Sequence, residues 1–461
     1  MLTIPPLKNT LGVALKTALL IGLTLPFAAS AEDTTRISVS SKGKQGDANS
    51  WHPAISADNR YIAFQSEAST LVPNDTNNTI DIFVHDRQTK KIRRVNVASD
   101  GTQASPSWNC HTTISANGRY VGFTSDAPNL VPNDHNSTYD VFVHDLKTKQ
   151  TTRVNVSSDG NEAIGGGLGG GGWQGWNGLP SLSADGRYVA FQSVADNLVE
   201  GDNNGFADIF VHDRKTKTTT RVSVASDGTQ ANEDSWKLKI SDDGRYVAFQ
   251  SAASNLVKGD TNNRDDIFVH DRVTKQTTRV SVATDGTQGN NGAWAPVISA
   301  DGRYVAFWSA ASNLVAGDAN VTDDVFVHDR ETHETTMISM ASDGTHGNAS
   351  SSRPSISSDG RYIGFRSWAS NLAANDDNGV DDVFVHDRVN HTTTLVSVTL
   401  DGTSGTGPGG KGGGGVNTNG SRDAHLSPDG QYMAFKSLVT DLVPNDTNEV
   451  IDVFLRKLNT N

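Results

Sequence analysis

Cysteine is nearly absent: Cys110 stands alone in a chain of 461 residues. One thiol forms no internal disulfide, and it lies too far along the chain to be a lipid-anchored N-terminal cysteine. Aromatic residues are scarce at 7%, and hydrophobic residues total 35%, low for a globular chain. No apolar run is long enough to cross a bilayer as a helix. Basic charge is in deficit, 39 Lys and Arg against 52 Asp and Glu, for a net charge of −13. An acidic body repels nucleic acid and anionic membrane surfaces, so neither is expected as a partner. No serine sits in a sharp strand-to-helix elbow, which removes one common form of nucleophilic triad.

The first 31 residues differ from the rest. Lys8 and Lys16 precede an apolar run from Ala18 to Leu25, then Pro26 and the small-residue ending Ala29-Ser30-Ala31. That layout predicts a signal peptide over 1–31 and an exported mature chain, periplasmic or extracellular. Its removal takes two lysines and no acid, so the net charge moves from −13 to −15.

What is present is a repeat. Phe-Val-His-Asp starts at Phe83, Phe142, Phe210, Phe268, Phe326 and Phe384, with a worn copy, VFLRK, from Val453. Ser-x-Asp-Gly-Arg-Tyr runs in step with it, its tyrosines being Tyr61, Tyr120, Tyr188, Tyr246, Tyr304, Tyr362 and Tyr432. Tyr188 to Tyr362 are spaced by 58 residues each time, the period of an array of supersecondary units. One unit reads as four strands. Pro296–Ser299 leads through the Asp301-Gly302 turn to Arg303–Ser309, a hairpin signal. A polar loop then leads to Asp324–Asp329, dense enough in apolar residues for burial on both faces, and a fourth, alternating strand follows.

Four antiparallel strands repeated seven times predict an all-β fold, a seven-bladed β-propeller. Its blades fall near 51–97, 108–156, 173–224, 236–282, 294–340, 352–398 and 422–461, within one domain over 32–461. The last repeat lacks a fourth strand. The missing phrase, Thr34-Thr35-Arg36-Ile37-Ser38-Val39, stands at the other end of the chain, so residues 34–39 are expected to complete blade seven and close the ring.

Ser427-Pro428-Asp429-Gly430 with Tyr432-Met433-Ala434-Phe435, and the Asp-Ile-Phe-Val-His-Asp strand of the sister units, resemble the WD-like propeller repeat of the TolB type. The whole unit is similar to a group of exported bacterial propellers built from SNLVxGDTN…DIFVHDRxTxxTTRVSV repeats, and the resemblance covers residues 34–461. TolB itself has six blades and an N-terminal α/β domain; this chain has seven repeats and no such domain, so the resemblance is to the repeat family and not to TolB itself. It implies fold rather than activity. Oligogalacturonate lyases are similar seven-bladed propellers that hold a metal with channel histidines, a likeness of architecture with no motif matched here.

Long loops gather on the face opposite the tight hairpins, which makes that face the candidate binding surface. Expanded Gly-rich connections at Ile164–Gly178 and Ser404–Gly420 stretch the tyrosine spacing to 68 and 70. The first carries Trp173 and Trp176, which could stack on a ligand as a flap. The loop before each third strand repeats Asp-x-Asn-x-x-x-Asp, for example Asp75/Asn77/Asp81 and Asp260/Asn262/Asp266. Hard oxygen donors at alternate positions could hold calcium, and Asn and Asp also build such turns by bonding their own backbone. The recurring His-Asp pair of the third strand is structural, because a catalytic group is needed once and not in every blade.

A site must break the repeat. Nine residues before each tyrosine stand His52, His111, Leu179, Lys237, Ala295, Arg353 and Asp423; seven before stand Ala54, Thr113, Ser181, Lys239, Val297, Ser355 and His425. A period of two puts both positions on one strand face, at the channel mouth. His52, His111 and His425 fall in neighbouring blades of the ring and could bind one transition metal or supply acid and base. Lys237, Lys239 and Arg353 could answer an anionic ligand, with Asp423 beside them. The leading expectation is a monomeric binding or scaffold module for a protein or polysaccharide. The alternative is a metal-assisted polysaccharide lyase or hydrolase.

Overall fold

The computed structural model describes residues 33–107, 109–136, 138–164, 180–318, 320, 322–405 and 420–459. The leader, Trp173, Trp176 and Leu179 lie outside the described residues. Within them, 28 strands form seven four-stranded antiparallel sheets set in a ring, the seven-bladed propeller that the repeat implies. In blade one the strands are Ser50–Ile55, Tyr61–Ser66, Asp81–Asp86 and Lys91–Arg94, innermost to outermost.

The two middle strands make the core. Phe64 and Phe83 pair in register with ring centroids 5.9 Å apart, and every blade repeats the pair. Successive side chains of the third strand leave on opposite faces. Phe83 packs with Ile37, Val453 and Leu455 of blade seven, while Ile82 and Val84 pack with Val121 and Phe123 of blade two. The strand is therefore buried on both sides, as its apolar density implies. The hairpin glycine has its own reason: Gly302 has φ +76° and lies against the Tyr246 ring of the preceding blade, where any Cβ would overlap it.

Thr34–Arg36 pairs antiparallel with Asp452–Lys457, Thr34 opposite Arg456 and Arg36 opposite Phe454, and the Ile37 N–H donates to the Val453 carbonyl at 2.8 Å. The N-terminal strand thus completes blade seven. It is shorter than the expected 34–39, ending where Ile37 and Ser38 turn into the core.

In blades two to six the third-strand histidine bonds within its own blade and not directly to its neighbour. His144 Nδ1 lies 2.9 Å from Thr151 Oγ1, whose hydroxyl donates at 2.5 Å to the Val97 carbonyl of the preceding blade. Blade one carries Ile92 at the threonine position, and His85 Nδ1 reaches the Ile37 carbonyl itself, at 2.9 Å.

Candidate functional site

The innermost strands carry a feature that a period of two does not foresee. Pairing slips between Trp51 and Ala54, and likewise in blades two, four, five, six and seven, so each holds a β-bulge at its channel end. The bulged residue takes positive φ: His52 50°, His111 60°, Lys237 47°, Ala295 49°, Arg353 54° and Asp423 52°. These are the residues nine before each tyrosine. The bulge turns them into the channel, whereas regular pleating would hold them on the sheet.

The result is one cavity of about 400 Å³, lined by His52, His111, Lys237, Lys239, Arg353, Asp423 and His425. Every candidate from the two varying columns that bears a charge or an imidazole is brought together there. Ala54 is outside the lining, and Asp242 closes the end near the tight hairpins.

Asp423 is the hub on one side. Lys436 Nζ lies 2.8 Å from its Oδ2, Arg353 Nη1 3.2 Å from its Oδ1, and His52 Nδ1 3.3 Å from its Oδ2. Burial pushes this carboxyl up, but His52, Lys436 and Arg353 more than offset it and hold Asp423 well below the usual carboxylate range. His52 keeps 22% of its side chain accessible. Burial lowers its imidazole despite Asp423, with Lys436 and Arg353 adding to the fall.

The other side has no such hub. Burial, with His52 and Lys239 adding to it, pushes His111 down to about 3. Burial and Lys239 push His425 down to about 3. Both are neutral imidazoles, and Nδ1 of each is buried without a hydrogen-bond partner. Lys239 bears on both; burial alone lowers its own pKa, and no carboxylate is paired to it among the described residues. Lys237 is lowered by burial and then by Arg353, with Asp265 opposing.

The histidines do converge, His52 and His111 with ring centroids 6.3 Å apart. Among the described residues, however, no three His, Cys, Asp or Glu side chains stand as a ready metal-binding group. Lys239 bears on both His111 and His425, and a cation there opposes a second one.

Sequence columns overlooked three side chains. Four residues after the tyrosines stand Gln65, Thr124, Gln192, Gln250, Trp308, Arg366 and Lys436, which breaks the repeat on blade two and on blades five to seven. Arg366 and Arg422 share Asp381, at 2.8 and 2.7 Å, beside the mouth. Trp308 lines the cavity with its indole Nε1 buried and unpartnered.

The acidic loops lie away from the cavity, and each of the two named as calcium candidates has an arginine among its carboxylates. Arg94 Nη1 sits 3.0 Å from both Asp75 Oδ1 and Asp81 Oδ2, and the Asn77 amide donates to Asp81 at 3.1 Å. Arg279 Nη1 lies 3.1 Å from Asp260 and 3.3 Å from Asp266, with Asn262 donating to Asp266 at 3.0 Å. A guanidinium from the outermost strand occupies the point where the carboxylates converge, so the counter-charge is internal. Burial, and Asp81 beside it, still push Asp75 up to about 6.

No family model matches the chain, and no curated protein does. Solved structures do. An oligogalacturonate lyase from Vibrio parahaemolyticus superposes with a TM-score of 0.52 at 11% identity, over 89% of this chain and 90% of that one. TolB from Acinetobacter baumannii gives a TM-score of 0.42 at 15% identity, over 73% of this chain and 63% of that one; this chain thus spans less than two thirds of its length. A putative TolB from Agrobacterium tumefaciens gives 0.41 at 15% identity, over 82% and 98%. At these identities the likeness is one of fold.

Proposed function

We propose that the chain is an exported binding module whose channel mouth takes the anionic group of a polysaccharide or of a protein partner. The observation that carries this reading is the Lys239 amine, inside the cavity with no carboxylate paired to it among the described residues; burial lowers its pKa, and an anion bound against it would favour the ammonium. Lys237 and Arg353 extend the cationic lining outward in a chain whose net charge is −13. An acidic protein with a cationic pocket attracts an anion to that one place, because low-dielectric walls focus the field of the lining charges. The neutral imidazoles of His111 and His425 add hydrogen-bonding capacity without competing charge, and the Trp308 indole adds a donor and an apolar face.

The test is calorimetry with acidic and neutral polysaccharides of matched size, using wild type, Lys239→Met and Arg353→Ala. An acidic ligand should bind and its neutral counterpart should not. Each substitution should weaken binding about 10- to 100-fold, the worth of one charged hydrogen bond. Equal binding of neutral and acidic chains would overturn the reading.

A second reading, a metal-assisted polysaccharide lyase or hydrolase at His52, His111 and His425, draws on the two unpartnered buried ring nitrogens. It requires turnover that disappears in His425→Ala. Binding without turnover leaves the module alone.

A further inference from the structure

Blades two, three and four build the same polar knot around one guanidinium nitrogen. Arg153, Arg221 and Arg279 each place Nη1 2.8 to 3.3 Å from Oδ1 of the first loop aspartate and Oδ2 of the second. A third acceptor touches the same nitrogen, Glu162 at 2.9 Å, Gln230 at 3.0 Å and Gln288 at 3.0 Å. Three oxygens therefore converge on one cationic point.

Blade five keeps the stations and loses the cation. Met337 stands where the arginine belongs, and His346 stands where the glutamine does. The aspartates remain as Asp318 and Asp324. The two oxygens that face the guanidinium elsewhere, Oδ1 of the first and Oδ2 of the second, are in blade five buried and without a hydrogen-bond partner. Asp324 is 0% exposed, and its other oxygen is already fixed by the Ser339 hydroxyl at 2.6 Å. His346 stands beside the first aspartate, its Cε1 4.0 Å from where a Cβ on Gly317 would lie, and it bears electrostatically on both carboxyls. Blade six also lost the arginine, to Leu395, but it carries Ser404 in place of the histidine. Its Asp382 is bonded on both oxygens, by Ser397 and Asn378, and burial pushes it up to about 8, so it holds a proton instead.

We infer that blade five binds one divalent transition-metal ion, with Asp318 Oδ1, Asp324 Oδ2 and an imidazole nitrogen of His346 as its ligands. Two carboxylates and one imidazole suit an ion of the zinc or manganese type, which takes mixed nitrogen and oxygen donors. Calcium prefers oxygen donors alone and more of them. In the sister blades the same stations are spread for contacts of 2.8 to 3.3 Å, and metal–ligand bonds near 2.0–2.2 Å would draw them in by small side-chain rotations. That difference is consistent with the absence of a ready-made metal group among the described residues. The Ser339 bond to Asp324 orients a ligand from outside the ligand set. This site is separate from the channel and independent of what binds there.

The test is calorimetric titration of the untagged, chelator-treated and dialysed chain with Zn²⁺. Wild type should take one ion per chain. Met337→Arg restores the guanidinium of the sister blades and should abolish binding while keeping a cooperative melt. His346→Gln restores their glutamine and should weaken binding at least about 10-fold. The double variant His52→Ala/His425→Ala should bind as wild type does. If Met337→Arg does not fold, Asp318→Asn replaces it with the same expectation. No saturable binding by wild type overturns the inference, as does undiminished binding by Met337→Arg or loss of binding confined to the channel variant.

Discussion

Ring closure lends itself to a quantitative test at Ile37. Its side chain is 1% exposed and packs with Phe83 and Ile92 of blade one and Val453 and Leu455 of blade seven, so it sits on the seam where the two ends of the chain meet. Truncating it to alanine removes three buried carbons and leaves a void, at a cost of about 2–4 kcal/mol. With roughly 2 cal/mol/K of unfolding entropy per residue, a 3 kcal/mol loss lowers the melting temperature of a ring this long by about 3 °C. Urea denaturation followed by tryptophan fluorescence gives the same quantity directly. Deleting residues 34–39 should do far more. It also strips the Ser38 hydroxyl and the Arg36 guanidinium from Asp452, which is 0% exposed, and a stranded buried charge costs about 3–5 kcal/mol by itself. Removing Leu458–Asn461 is the control. It loses Leu458, 7% exposed, and one backbone bond to the Gln431 carbonyl at 2.7 Å, but strands no charge. Equal destabilisation by the two deletions, or an Ile37→Ala variant within about 0.5 kcal/mol of wild type, would refute closure by the N-terminal strand.

Other outcomes follow from named groups. Burial pushes His270 down to about 4 from an ordinary 6.5, so the folded state holds it neutral while the unfolded chain takes up a proton; its stabilising contribution is full above about pH 6.5 and is lost as pH falls toward 4. Between pH 6 and 4.5, His270→Gln should therefore flatten the fall of stability with acid by up to about 1 kcal/mol per pH unit relative to wild type, and parallel curves would contradict this. Arg279→Met should copy the blade-five situation in blade four and cost about 3–5 kcal/mol at pH 7.5. The penalty should shrink as pH falls, because Asp260 and Asp266, already raised by burial, then accept a proton; a pH-independent penalty would count against the ion-pair account. Gly302→Ala should cost more than 1 kcal/mol through positive φ and its clash with Tyr246, measured by the same denaturation.

The sequence made the architecture legible because each blade is a copy, and copies expose both the strand pattern and the missing fourth strand of the last unit. It also drew the cavity residues together, partly for the wrong reason. Columns nine and seven before the tyrosines do share the channel, but a bulge brings them there, and nothing in Trp51-His52-Pro53 announces αL backbone. The arginine partner of the loop carboxylates was not legible because it is remote in sequence. Arg279 lies 13 residues beyond Asp266, on the outermost strand and outside the loop pattern. Lys436 and Arg366 stand on second strands, in a column that varies between blades as the column of His52 does.

The bulge also separates what each blade is from what it presents. The sheet hydrogen bonds, the phenylalanine pairs and the tyrosine–glycine contacts lie outside it, while the bulged residue projects into the channel. Histidine, lysine, alanine, arginine and aspartate all occupy that place in this one chain, with the same backbone shape beneath. A left-handed conformation at a non-glycine residue costs on the order of 1 kcal/mol, and the ring bears it repeatedly. The propeller therefore behaves as a set of interchangeable sockets. New selectivity can arise by swapping one plug at a time, with no need to redesign the frame that holds it.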